Sequence, residues 1–324
     1  MKRGGPLMVA FNYLLMCAIF GTTFLVIKVG VAAGLPPFLS AGIRFTAAGL
    51  LLFGWMLARR KVRFSMLFRK EFAFIGAGST FATFAVLYWA EQHIDSGMAA
   101  ILSATGPMAI LLMQSVALRQ RSSILERAGC IIGLLGVITL MLPELHAQAN
   151  VIWLVSCLLV LLGEFGYAAG SLLTRRTLLR NPELPPVALN AAQMIYGGIG
   201  LLILSAFAER SWSQPIDFLP AAGSLIYLTV AGSMLGHSLY AWLIKATNAF
   251  FPSTWLYISP VIALGLGALL QGERLSLLTL AGSLLVLAGI VIPRWPDLKE
   301  YAASRSRRRA VAPADRNIRE SESV

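Results

Sequence analysis

The chain has 324 residues, 57% hydrophobic and only 13% charged, with a formal net charge of +12 and a mean hydropathy of +0.73. A soluble domain of this length needs a far more polar surface, so the composition points to lipid as the solvent. The basic residues sit in short clusters between apolar runs and near the C-terminus, which argues against nucleic-acid binding and fits cytoplasmic loops that collect Lys and Arg.

A hydrocarbon core about 30 Å thick is crossed by roughly 20 apolar residues in helix. The first such run, 8–30, follows Lys2 and Arg3 and ends near Val31-Ala32-Ala33. It is long for the apolar region of a signal peptide and contains Lys28, so a membrane helix is expected. Runs at 36–58, 71–92, 96–118 and 125–143 complete a first set. Runs at 151–174, 186–208, 219–244, 249–270 and 276–293 form a second. Short connections with Gly, Pro or charge separate them.

Basic residues sort between alternate loops. One side receives Lys2, Arg3, the cluster Arg59 to Lys70, Arg119, Arg121, Arg127, Arg175, Arg176, Arg180, Lys245 and the C-terminal arginines. The other holds little beyond Lys28, Arg210 and Arg274. That asymmetry puts both termini in the cytoplasm and requires an even number of spans. The stretch 296–324 is polar and basic, too poor in apolar surface to fold alone, and is expected to be a disordered tail lying against anionic lipid. Cys17, Cys130 and Cys157 lie inside apolar runs without metal-ligand spacing.

An internal repeat organises these spans. Residues 89–136 align without a gap to 242–289, a shift of 153 positions, matching Trp89 to Trp242, Pro107 to Pro260, Gly129 to Gly282 and Gly136 to Gly289. Earlier, Leu35-Pro36-Pro37 matches Leu184-Pro185-Pro186, and Gly49 matches Gly198. Five spans per half is an odd number, so the second half enters from the opposite side. The expected fold class is therefore an all-α membrane protein with ten transmembrane helices in two inverted five-helix repeats. These cover 1–146 and 147–295, with a binding site near the midplane between them. Cleaving the first span would destroy this symmetry. Pro107 and Pro260 should kink the fourth and ninth spans, since each leaves the carbonyl four residues earlier, at Ser103 and Leu256, without its helical donor. Such kinks either line a cavity or shape helix packing.

The residues resemble a known family. Phe20-Gly21-Thr22-Thr23-Phe24, then Pro36 with Arg44-Phe45, are similar to the first two helices of the EamA family in the drug/metabolite transporter superfamily. Ser96 to Leu102 through Pro107 resembles that family's fourth helix, and Gly272-Glu273-Arg274-Leu275-Ser276 its closing motif. In the first half Gln120-Arg121 stands where the family commonly has Glu-Arg, a departure expected to alter helix capping more than transport. The resemblance runs from about residue 8 to 293. It implies a ten-helix, five-plus-five fold and, in many members, export of amino acids or other small metabolites.

Ionisable residues within spans are the leading functional candidates, because each costs roughly 2.5–3.5 kcal/mol at mid-helix on insertion scales. Arg44 lies deep in the second span and Glu164 deep in the sixth. They either pair with each other or face a cavity, where Arg44 would meet an anionic group of the substrate. A carboxylate in a dehydrated site also exchanges protons, so Glu164→Gln is expected to remove any proton dependence of transport. Gln193 falls opposite Arg44 in the repeat, which makes it a symmetric candidate for cavity polarity. Tyr167, Tyr196, Trp255 and Tyr257 lie deep enough to wall a pocket. His237 is expected to be a packing residue more than a proton relay, Lys28 to snorkel to the headgroups, and Glu91 to be solvated at a span end.

No metal-binding cluster, phosphate-cradling loop or nucleophile–base pair is recognisable. The expected function is a secondary, non-ATP transporter in the inner membrane, exporting amino acids or related metabolites without a cofactor. Its partners are a small-molecule substrate, the lipid bilayer and, on one reading, a coupled proton; a homo-oligomer is compatible with the sequence. The alternatives are an uptake carrier or uncoupled facilitator, and a membrane-embedded enzyme or assembly factor.

Overall fold

The computed structural model describes residues 5–94, 96–117, 119, 122–141, 151–210, 213–259, 261–262 and 277–295. Every regular element among them is helical. Six stretches among the described residues are long and apolar enough to cross a bilayer: Pro6–Ala32, Pro37–Ala58, Lys70–Ala90, Val151–Arg180, Pro186–Ala208 and Phe218–Ala246. They coincide with the expected first, second, third, sixth, seventh and eighth spans. Apolar side chains such as Leu50, Leu51, Phe207 and Leu284 face outward while Arg44, Glu164 and Gln193 are buried, the distribution expected of a protein surrounded by lipid.

Several spans are interrupted, and the sequence explains where. The first comprises α1 (Pro6–Gly21) and α2 (Thr23–Ala32). At the break, the Thr22 hydroxyl donates to the carbonyl of Ile19 at 2.8 Å and the Thr23 hydroxyl to that of Phe20 at 2.7 Å. Threonines bonding back to the preceding turn loosen a helix and satisfy carbonyls that lipid cannot. The second span is α3 (Pro37–Ala58), which starts on Pro37, whose fixed φ suits a first turn. The third is α4 (Lys70–Gly76), a π-helical segment Ala77–Ala82, and α5 (Thr83–Ala90). The expected fourth span is two helices, α6 (Ser96–Ser103) and α7 (Gly106–Val116), with Pro107 in the first turn of α7. The anticipated kink at Pro107 is thus a full break over Ala104 and Thr105.

The expected fifth span contains α8 (Ile124–Met141), and the sixth is α9 (Val151–Arg180). The seventh is α10 (Pro186–Ala208). The eighth comprises α11 (Phe218–Tyr227), a second π-helical segment Leu228–Gly236, and α12 (His237–Ala246). Then come α13 (Phe250–Ser253), a helical stretch 255–259 and α14 (Leu277–Val291). Pro260, Gln120, Arg121, Glu273 and Arg274 lie outside the described residues.

Contacts between repeat-matched helices are reciprocal. A Cβ on Gly49 would lie 2.7 Å from Ile195, and one on Gly198 would lie 2.5 Å from Thr46; Gly49 matches Gly198, and Thr46 matches Ile195. A Cβ on Gly129 would lie 2.6 Å from the carbonyl of Gly289, and one on Gly136 would lie 2.9 Å from that of Gly282. In each pair, rising numbers on one helix meet falling numbers on the other, so α3 runs antiparallel to α10 and α8 to α14. Side chains obey the same exchange. Arg44 Nε donates to Ser233 Oγ at 2.8 Å, and its repeat counterpart Gln193 accepts from Thr80 Oγ1 at 2.6 Å. Thr80 and Ser233 are themselves 153 positions apart, each within a π-helical segment. Lipid supplies no hydrophobic drive between helices, so close approach of small residues carries the association. Gly136→Val is expected to destabilise the fold by about 1–3 kcal/mol through overpacking, read as a lowered melting midpoint in detergent.

Candidate functional site

A cavity of about 40 Å³ lies where α1, α2, α3, α5, α6, α9, α12 and the stretch 255–259 converge. That is room for a water or a few, not for a metabolite. Its walls are mostly apolar, from Phe20, Phe24, Ile27, Phe84, Leu87 and Leu256. Five residues singled out from sequence reach it: Arg44, Glu164, Tyr167, His237 and Trp255.

Arg44 is 1% exposed. Its guanidinium donates to Ser233 through Nε at 2.8 Å and to the Tyr88 hydroxyl through Nη1 at 3.0 Å, and lies 5.3 Å from the ring centroid of Phe84. Both hydrogen-bond acceptors are neutral. Among the described residues no carboxylate comes within 4.0 Å of it, Glu164 included, so the Arg44–Glu164 ion pair weighed from sequence is not formed. The cation is positioned by hydroxyls and rings, with its charge uncompensated by a direct partner.

Glu164 is 4% exposed, and its Oε2 has no hydrogen-bond partner. Ser103, at the end of α6, is within hydrogen-bonding reach of the carboxyl. The carboxyl also abuts Gly106, the first residue of α7, where a Cβ would overlap Oε2. The helix break at Ala104–Thr105 therefore does two things. It delivers Ser103 to the cavity, and it sets the N-terminal end of α7 against the Glu164 carboxyl. Gly106→Ala is expected to displace the carboxyl and weaken substrate binding roughly tenfold, equivalent to about 1.4 kcal/mol, with insertion retained; transport assays alongside thermal melts separate the two.

Tyr167 and Trp255 form a pair at the cavity wall, with Trp255 Nε1 donating to the Tyr167 hydroxyl at 3.3 Å. His237 makes edge contacts with Phe20, Phe45 and Phe84 at 5.0, 5.7 and 5.7 Å between centroids, a packing environment.

Three other residues lie elsewhere. Gln193 spends its amide on Thr80 and on Asn190 Oδ1 at 3.1 Å, both outside the cavity walls. Tyr196 donates to the carbonyl of Leu67 at 2.8 Å. Tyr257 packs its ring on Gly133 and bonds Cys130 at 3.2 Å, away from the cavity.

Two end-of-span expectations are corrected. Lys28 does not snorkel: it is half-buried and donates to the carbonyls of Glu91 at 2.7 Å and Ile94 at 3.2 Å, satisfying the end of α5. Glu91 is not solvated: it is 0% exposed, and neither carboxyl oxygen has a hydrogen-bond partner. Ser233, Tyr88 and Ser103 were not on the expected site. Ser103 had a signal, as the residue four before Pro107; Ser233 and Tyr88 meet Arg44 only in three dimensions.

The described residues hold no group of three or more metal-ligating side chains. The sequence model of the EamA-like transporter family matches residues 7–142 and again 154–293. An inner membrane transporter of Escherichia coli K12 described as uncharacterized, YedA, is 31% identical over 286 residues, 85% of this chain and 87% of that one. A probable amino-acid metabolite efflux pump of Salmonella typhimurium LT2 is 26% identical over 289 residues, 87% and 93% of the two chains. A crystal structure of another protein superposes with a TM-score of 0.68 at 18% identity, over 87% of this chain and 96% of that one, a likeness of fold.

Proposed function

Because the chain belongs to the EamA-like transporter family, a family of membrane transporters, we propose that it is a secondary carrier exporting a small zwitterion, an amino acid or close relative, by alternating access. The observation that carries this reading is a buried guanidinium and a buried, under-bonded carboxyl group lining one apolar cavity. Arg44 has donors but no carboxylate, and Oε2 of Glu164 has no donor. A carboxylate bound at Arg44 and an ammonium at Glu164 would supply each missing partner. Phe20, Phe24, Phe84 and Trp255 would take the apolar side chain. A relative named as a probable amino-acid metabolite efflux pump supports the same substrate class.

At about 40 Å³ the cavity is closed to such a molecule, so loading requires helices to move. The breaks at Thr22, Ala104–Thr105 and Thr254 and the two π-helical segments all border it or lie within a turn or two of its walls. Irregular backbone of this kind is where segments pivot. The same proposal takes the chain as ten spans in two inverted halves, 1–146 and 147–295, with both termini and the tail 296–324 in the cytoplasm. The reciprocal glycine contacts, the Arg44–Ser233 and Gln193–Thr80 exchange and the basic-residue asymmetry support it. The test is an amino-acid and analogue panel on cells with and without the protein. Faster efflux or raised resistance for zwitterionic compounds is expected; a response confined to non-zwitterionic solutes would refute the substrate class.

A further inference from the structure

Glu91 is the buried ionisable group that the proposed binding scheme leaves unused. It follows the last residue of α5, is 0% exposed, and has two carboxyl oxygens without solvent or donor. Such a carboxylate depends on the field of nearby cations for its charge.

The groups acting on it can be named element by element. From α2, Lys28 bonds the carbonyl of Glu91 itself at 2.7 Å, so its ammonium sits beside the residue while its bonds go to the main chain. From α3, Arg44 donates to the hydroxyl of Tyr88, one helical turn before Glu91, which brings its guanidinium to the same face as the carboxyl. On α5, Tyr88 accepts from Arg44 at 3.0 Å and lies in the field of Glu91. Beyond α5, His93 is exposed and stacks edgewise on Trp89 at 4.7 Å; Asp95 lies outside the described residues. From α9, which packs along α5, Glu164 goes to the cavity. One residue, Gln92, separates Glu91 from exposed His93, a short route to water.

We propose that Glu91 is a proton-binding site coupled to substrate binding through Arg44. The inference rests on the reading of Arg44 as the anchor for a substrate carboxylate. Ionised, Glu91 draws on the guanidinium field. When a substrate carboxylate arrives at Arg44, two anions compete for one cation, and uptake of a proton by Glu91 relieves the competition. By linkage, protonating Glu91 strengthens carboxylate binding by the same factor. The carboxyl O–H forms as an O–H of a hydronium ion breaks, leaving water, and no other bond changes.

The sign separates this site from Glu164. A proton at Glu91 assists the substrate carboxylate, so apparent affinity falls as pH rises through the Glu91 titration, by up to about tenfold per pH unit. A proton at Glu164 would compete with the substrate ammonium, and affinity would rise with pH.

The experiment has two arms. In the first, purified full-length protein is titrated by infrared spectroscopy for the carbonyl band of a neutral carboxylic acid. A band lost in Glu91→Gln, retained in Glu164→Gln, and titrating at higher pH in Arg44→Ala supports the proposal. A band unaffected by Glu91→Gln, or a midpoint unmoved by Arg44→Ala, overturns it. The Arg44→Ala titration uses native Glu91 and so decides even if Glu91→Gln fails to insert. In the second arm, counterflow of labelled proteinogenic amino acids is measured from mildly acidic to mildly alkaline pH. Affinity falling with pH in the wild type and flat in Glu91→Gln supports the proposal. A slope of opposite sign, or one abolished only by Glu164→Gln, overturns it. Absence of all counterflow would refute the substrate reading while leaving the infrared result to judge Glu91.

Discussion

Arg44→Ala is expected to insert and fold but to bind substrate roughly 30- to several-thousand-fold more weakly, the equivalent of about 2–5 kcal/mol for truncating one partner of a buried charge pair. The side chain is fully buried, and two of its donors are committed to Ser233 and Tyr88. Those bonds fix the fork and leave the remaining N–H groups for a carboxylate, the bidentate recognition to which guanidinium is suited. Folding should survive, because removing the cation also removes its insertion cost of roughly 2.5–3.5 kcal/mol. Arg44→Lys keeps the charge and loses the planar fork, so it should fall between wild type and alanine. Size-exclusion behaviour and binding of a labelled amino acid check the two halves of this expectation separately.

Glu164→Gln should alter selectivity more than folding. Glutamine preserves the shape beside Gly106 and Ser103 but removes the charge that would meet an ammonium. A hydrogen bond to a charged group is worth about 1.5–3 kcal/mol, so affinity for amino compounds should drop roughly 10- to 150-fold. N-acylated or deaminated analogues, which carry no ammonium, should lose nothing. Competition by matched pairs of amino acid and acylated amino acid measures this directly. Equal losses for both members of each pair would remove Glu164 from the amine subsite.

Much of the architecture was legible in one dimension because lipid imposes length and hydropathy on each span. The 153-residue register even identifies which glycines meet, Gly129 with Gly289 and Gly136 with Gly282. Arg44, Glu164, Tyr167, His237 and Trp255 were found because polar or aromatic groups deep in apolar runs stand out. The rest depends on what helices do to one another. The π-helical segments carry no compositional signature, yet Ser233 in one of them positions Arg44. Glu91 sits at a span end, where sequence alone suggests water; its burial follows from Lys28 of α2 reaching over the end of α5. Gln193, the repeat match of Arg44 and a candidate for the cavity, instead bonds Thr80 and Asn190 and does not line the cavity.

In the proposed mechanism Arg44 and Glu164 hold the two ends of a zwitterion in one cavity. Counterflow in proteoliposomes loaded with unlabelled amino acids tests it most directly, comparing wild type with folded Arg44→Ala. The account predicts saturable accumulation of the labelled amino acid by the wild type and its loss in Arg44→Ala. Accumulation undiminished in Arg44→Ala, or none with any zwitterion in the wild type, would contradict it.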